Sequence, residues 1–208
     1  MEYQVSEKVR DSFQKLTENE KVQKALAFME ADQEEIIAKQ IELTLIPSPT
    51  YHEEKKAARL LEMFKEEGLT DCHIDEYGNC VGIRRGTGGG KTTLVEAHMD
   101  TVFNLDTKLE IVREDGFIKC PGIVDDTRGC AVVLSTIRAL NAAGIETKGD
   151  IQFVGTVQEE GTGALKGMKY YVEPHPELQA SISVDGDGYK EITFEATGIQ
   201  TYEVTFKG

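Results

Sequence analysis

The spacing of apolar residues changes along this chain. At first they recur three and four positions apart, the period of a helix with one buried stripe. Val9, Phe13 and Leu16 form one stripe and Val22, Leu26 and Met29 the next. Residues 6–30 therefore read as two helical pieces, with Thr17 and Glu20 as a capping-box pattern between them. Ile37, Ile41 and Leu45 predict a helix over 32–45, ended by Ile46-Pro47-Ser48-Pro49-Thr50 because proline blocks helical continuation. Ala57, Leu60, Leu61 and Phe64 predict another over 52–67, with Gly68 as its C-terminal glycine.

The period then shortens to two. Residues 72–76 and 79–85 alternate around Tyr77-Gly78-Asn79 as a hairpin, and 92–97 form a buried strand. Residues 108–113 and 116–120 read as a second hairpin around Glu114-Asp115-Gly116. A helix over 127–143 turns Val133, Ile137 and Leu140 inward and stops at Gly144. A strand at 150–157, a short helix at 163–172 and a strand at 180–184 follow. Apolar strands alternating with helices predict the α/β class, here a mixed, mostly parallel sheet flanked by helices. From about residue 187 the helical period disappears and two strands, 190–197 and 200–206, are predicted. That shift reads as the start of a second, β-rich domain.

Composition narrows the setting. The 208 residues fit one domain, or one and part of another, and 39% hydrophobic with 29% charged residues is the balance of a folded chain. No apolar run approaches the about 20 residues of a membrane span, and the N-terminus carries no signal-like core. A cytoplasmic protein without a membrane partner is expected. A net charge of −14 repels phosphate backbones, so no nucleic-acid partner is expected. Cys72, Cys80, Cys120 and Cys130 form no C-x-x-C pair and are expected as reduced structural thiols. Thr87-Gly88-Gly89-Gly90-Lys91 has the glycine content of a phosphate loop without its spacing.

The candidate chemistry lies where apolar runs stop. Val95-Glu96-Ala97-His98-Met99-Asp100 ends a strand with an imidazole and a carboxylate two positions apart, on one side of the chain. Asp125-Asp126 stand between a loop and a helix start, where one aspartate suffices for capping. Glu159-Glu160 follow the next strand, and Asp185 follows the one after, in a sequence that also suits a plain turn. In open α/β sheets, ligands gather outside the carboxyl ends of the strands. One histidine with several carboxylates suits zinc, cobalt or manganese. The other histidines, His52, His73 and His175, read as structural or surface residues, so a second histidine ligand is missing.

In their order and spacing these motifs resemble the dizinc exopeptidases and amidohydrolases that include peptidase T, carboxypeptidase G, aminoacylase and succinyl-diaminopimelate desuccinylase. The likeness is carried by Ile46-Pro47-Ser48-Pro49, His98-Met99-Asp100-Thr101-Val102, Gly122-Ile123-Val124-Asp125-Asp126, Glu159-Glu160-Gly161 and Val184-Asp185-Gly186, and it leans towards the peptidase T-like branch. The resemblance implies a catalytic domain of that fold and two bound divalent metal ions, zinc first among them. It implies His98, Asp125, Glu160 and Asp185 as metal ligands, with Asp125 bridging. It implies Asp100 as the carboxylate that orients His98, Glu159 as general base, and Asp126 as a helix cap. The expected reaction is amide hydrolysis of a short peptide, or of an N-acyl amino acid; a non-catalytic metal-binding or interaction module is the reading from another class. The family's last histidine ligand follows an inserted dimerisation or lid domain. The expected organisation is therefore a helical extension over 1–30, the first part of the catalytic domain over 31–188, and the start of the insert over 189–208. A homodimer is expected of the longer protein, and an incomplete site of these residues alone.

Overall fold

The computed structural model describes residues 5–186, 188, 192–195, 198, 202 and 204–207. Six α-helices and seven strands lie between residues 7 and 183 among the described residues. The helices are α1 (Glu7–Thr17), α2 (Glu20–Ala31), α3 (Gln33–Thr44), α4 (Glu54–Glu66), α5 (Thr127–Ala142) and α6 (Lys166–Val172). The strands are β1 (Thr70–Ile74), β2 (Cys80–Arg84), β3 (Thr92–His98), β4 (Val112–Glu114), β5 (Phe117–Lys119), β6 (Ile151–Thr156) and β7 (Leu178–Ser183). None of the described helices is long and apolar enough to cross a membrane.

Five strands form one sheet in the order β1-β2-β6-β3-β7. β6, β3 and β7 run parallel, while β2 opposes both β6 and β1. The mixed, mostly parallel sheet is thus present, and β4 with β5 forms a separate short hairpin. The parallel pairing makes β3, β6 and β7 end at one edge, with His98 level with Thr156 and Glu96 level with Ser183.

Strand alternation sends successive side chains to opposite faces. On one face Ala97 and Phe153 meet Leu43, Leu60, Met63 and Phe64 of α3 and α4, and Val133, Leu134 and Ile137 of α5. On the other, Val81, Leu94 and Val154 meet Tyr171 of α6. By the same alternation Glu96 and His98 belong to the α6 side with Leu94.

Helices α1 and α2 differ in how they are held. Ala25, Phe28 and Met29 of α2 pack on Ala139 of α5 and on Ala143 just past its end, and Arg138 bridges Asp32 and Glu67 at 2.7 Å each. Helix α1 buries none of its residues, so the stripe Val9, Phe13 and Leu16 is exposed. The cap between them is Asn19, which accepts from the amides of Lys21 and Val22, rather than Thr17. The Thr17 hydroxyl instead donates to the Gln14 carbonyl within α1.

Two other expectations shift. The helix expected over 163–172 begins at Lys166, because Ala164 and Leu165 adopt left-handed backbone angles that break the helical run. The hairpin expected over 108–120 pairs only residues 112–114 with 117–119. About half of the residues in the strands expected at 190–197 and 200–206 lie outside the described residues, and the described ones among them carry no strand.

Candidate functional site

The site is built at the carboxyl edge of β3 and β6. β3 ends at His98, and the next residues, Met99 to Thr101, are pinned by the proline-rich segment before α4. The Ser48 hydroxyl donates to the Met99 carbonyl at 2.9 Å, and the Thr101 amide donates to the Ser48 carbonyl at 2.8 Å. That segment therefore does more than end a helix: it fixes the loop that carries Asp100.

Asp100 is fully buried. Its Oδ1 accepts from the Glu159 amide and its Oδ2 from the Glu160 amide, both at 3.0 Å, while the Thr50 hydroxyl donates to Oδ2 at 2.9 Å. Oδ1 also lies 3.4 Å from His98 Nδ1. That contact falls short of a hydrogen bond, and Nδ1 is buried without another partner among the described residues. It is a charge contact that faces one side of the ring. Burial works against the Asp100 carboxylate, but His98, the two amides and Thr50 outweigh it and hold its carboxyl below the usual range.

The other ring nitrogen of His98 faces Asp125, with Nε2 and Oδ1 3.0 Å apart. Asp125 and Asp126 are neighbours with opposite surroundings. The Asp125 side chain is 62% exposed at the rim. Asp126 is buried; its Oδ1 accepts the Gly129 amide at 2.9 Å, capping α5, and its Oδ2 accepts the His98 amide at 3.1 Å. The peptide bond joining them is cis. Gly129 is required for this approach: a Cβ there would lie 2.3 Å from both Asp126 oxygens and 2.4 Å from the Val184 carbonyl oxygen.

Potential ligand atoms converge in two groups among the described residues, each with its atoms within 4.8 Å of one another. One holds His98, Asp125 and Glu160; the other holds His98, Asp126 and Asp185. Three of the four expected ligands therefore meet directly. Asp185 joins His98 beside Asp126 rather than beside Asp125. Asp126, expected only as a cap, is both a cap and a member of the second group, because its buried carboxylate lies against the His98 backbone. Glu159 belongs to neither group. It lines a cavity of about 170 Å³ together with Glu96, His98, Leu165, Met168 and Asp185.

Electrostatics reflect this crowding. Burial disfavours a charged His98, yet Asp100, Asp126 and Glu159 outweigh it and push the imidazole up to about 10. Burial, with Asp185 adding to it, pushes Asp126 up to about 8 against the pull of His98. Burial also raises the carboxyls of Glu159 and Glu160, which repel each other or a neighbouring aspartate.

Several buried polar residues here were not singled out by sequence. Glu96, two positions before His98, is buried and accepts from the Thr156 hydroxyl at 2.9 Å. Its signal was an acid inside an apolar strand. Lys56 of α4 is buried with its ammonium 3.5 Å from the Thr127 hydroxyl. Thr50 and Glu53 carried no signal, because their partners lie far along the chain. His52, His73 and His175 stand in neither ligand group.

Comparison with known proteins gives a consistent match. A model of the family described as Peptidase family M20/M25/M40 matches residues 94–207. The succinyl-diaminopimelate desuccinylase of Corynebacterium glutamicum is 30% identical over 143 residues, 68% of this chain and 38% of that protein. Among solved structures, aminopeptidase PepT from Bacillus cereus has a TM-score of 0.64 at 27% identity, over 75% of this chain and 44% of that one. A tripeptidase from Staphylococcus aureus has a TM-score of 0.60 at 27% identity, over 74% and 43%. The chain thus spans less than half the length of these relatives.

Proposed function

The chain belongs to peptidase family M20/M25/M40, and on that premise we propose that the protein hydrolyses an amide bond of short peptides, as an exopeptidase using two divalent metal ions. The observation that carries this is the convergence of His98 Nε2, Asp125 and Glu160 at the sheet edge, with Glu159 beside them and outside the ligand groups.

The donor set fits a cation. Ligands each about 2.0 Å from a tetrahedral ion stand roughly 3.3 Å apart, so a spread of up to 4.8 Å closes by modest side-chain rotation. As the family resemblance implies it, His98 and Asp185 would hold one ion and Glu160 the other, with Asp125 serving both; in this structure Glu160 stands with His98 and Asp125, and Asp185 with His98 and Asp126. One imidazole among carboxylates suits zinc, with cobalt or manganese as alternatives. When bound, such ions lower the pKa of a water and polarise the amide carbonyl. Glu159 would then serve as the base that takes a proton from the attacking water and returns it to the leaving amine. Asp100 faces Nδ1 of His98, which leaves Nε2 as the ligand atom, and grips the backbone of both glutamates.

Metal analysis and a peptide hydrolysis assay on the full-length protein test the reading. Two divalent ions per chain and release of a terminal residue from di- or tripeptides are expected. A protein that binds no metal and cleaves no amide would sink it.

Metal uptake should also depend on pH with a definite sign. The ligand is the neutral imidazole, but in the metal-free chain His98 keeps its proton up to about 10. Below that pH each binding event expels this proton. Apparent affinity should therefore rise about tenfold per unit of pH between 6.5 and 8.5. Competition against a chromophoric chelator across that range measures the slope; a flat profile would mean that His98 does not hold its proton above the ordinary imidazole range.

A second reading, hydrolysis of an N-acyl amino acid, is favoured by the likeness to the C. glutamicum desuccinylase. An acylated amino acid cleaved faster than any peptide would select it. We further assign residues 189–208 to the start of a second domain and 1–30 to an N-terminal extension of the catalytic domain, and we place the longer protein in the cytoplasm as a homodimer. The four free thiols support a reducing compartment; the family resemblance supports the dimer.

A further inference from the structure

Glu53 stands at the N-cap position of α4, where an acidic side chain ordinarily serves its own helix. Here it makes no such cap bond. It is 4% exposed, and a single oxygen, Oε1, accepts two amides from elsewhere: Tyr51 at 3.0 Å and Gln158 at 3.0 Å. Both donors are non-glycine residues in the left-handed region, with φ of 75° at Tyr51 and 55° at Gln158. Such residues persist only where their surroundings hold them.

Gln158 is the residue before Glu159. The amides of Gln158, Glu159 and Glu160 are thus held in succession by buried carboxylates, the first by Glu53 and the next two by Asp100. Beside Gln158 lies a cavity of about 230 Å³ lined by Tyr51, Glu53, Tyr77 and Val157 among others. On its other side the Gln158 carbonyl accepts the Lys166 amide at 3.2 Å, so the segment is held at its carbonyl by the start of α6 and at its amide by Glu53.

The geometry points to Glu53 as a positioning residue for the Glu159–Glu160 pair: its Oε1 locks the backbone turn at Gln158 that aims the proposed base into the site. The inference rests on the assignment of Glu159 as base. It needs an oxygen acceptor at Oε1 rather than a charge, and a glutamine supplies that acceptor for both amides.

The test compares Glu53→Ala and Glu53→Gln in the metal-loaded full-length protein, each first checked for cooperative melting and metal content. Glu53→Ala should lose about tenfold to a hundredfold in kcat at similar KM, the scale of a base displaced by about 1 Å. Glu53→Gln should stay within about threefold of the parent. Hydrogen exchange reads the same lock without turnover: the Gln158 amide should exchange about tenfold faster in Glu53→Ala and be unchanged in Glu53→Gln. An alanine variant with the parent's kcat and exchange overturns the inference, and so does a glutamine variant that loses as much as alanine. A parent protein that cleaves no amide defeats the proposed function instead, and the exchange rates then decide the role of Glu53 alone.

Discussion

Glu159→Gln is expected to keep both metal ions and lose about 10²–10⁴-fold in kcat, the usual contribution of a positioned general base. Glutamine matches the size of glutamate but cannot accept the proton. The separation of roles rests on geometry: Glu159 lies in neither group of potential ligands, whereas Glu160 joins His98 and Asp125. Burial comes first in raising the Glu159 carboxyl, and Glu160, Asp185 and Asp100 add to it against the pull of His98. A raised carboxyl suits a group that must both take and return a proton near neutral pH. Steady-state kinetics with metal analysis on the same preparation measures the outcome. A variant that loses a metal, beside a Glu160→Ala variant that keeps two, would mean the two glutamates exchange roles.

Asp125→Ala carries the other large effect. On the proposed assignment Asp125 serves both ions, so its loss should weaken binding of both by roughly a hundredfold or more; even partners outside the ligand shell cost about 10–100-fold. Activity should fall below detection at ordinary metal concentrations. Glu160→Ala should release one ion only. Asp126→Ala probes the neighbouring residue: it removes the cap of α5 and the acceptor of the His98 amide, so stability should fall by about 1 kcal/mol or more, and any loss of metal should be confined to the ion held by His98 and Asp185. Calorimetric titration of each variant counts the ions. Two ions retained at parental affinity in Asp125→Ala would rule out the bridging assignment.

These contrasts mark what can be read from residues in order. β3 and β6 were legible because a short apolar run bounded by polar loops has one stable use in an α/β sheet, and α4 and α5 because their apolar stripes recur at the helical period. The site residues followed from the same reading: His98 ends β3, Glu159 and Asp185 sit just past β6 and β7, and parallel pairing brings those ends to one edge. Other features escaped. The stripe on α1 looked like a core face and is exposed, since amphipathicity says which side could be buried but not whether anything covers it. The α1–α2 junction read as a Thr17–Glu20 capping box, and the hydrogen bonds instead put the cap at Asn19. Glu53 carried no signal of its role, because its partner Gln158 lies 105 residues away.

By itself, then, the sequence determined the α/β class, the order of strands and helices that carry the site, and the set of acids gathered around His98. Those features depend on local periodicity and on the direction in which strands run. Only the tertiary structure decided what each carboxylate does. Asp100, Asp125, Asp126 and Glu53 are chemically alike, and they differ in which backbone amides they meet and how much water they keep. Asp100 and Glu53 are buried on the amides that aim Glu159, Asp126 is buried on the helix start and the His98 amide, and Asp125 remains at the rim facing Nε2. Burial and hydrogen bonding across long sequence separations assign those roles, and neither is encoded in the spacing of residues along the chain.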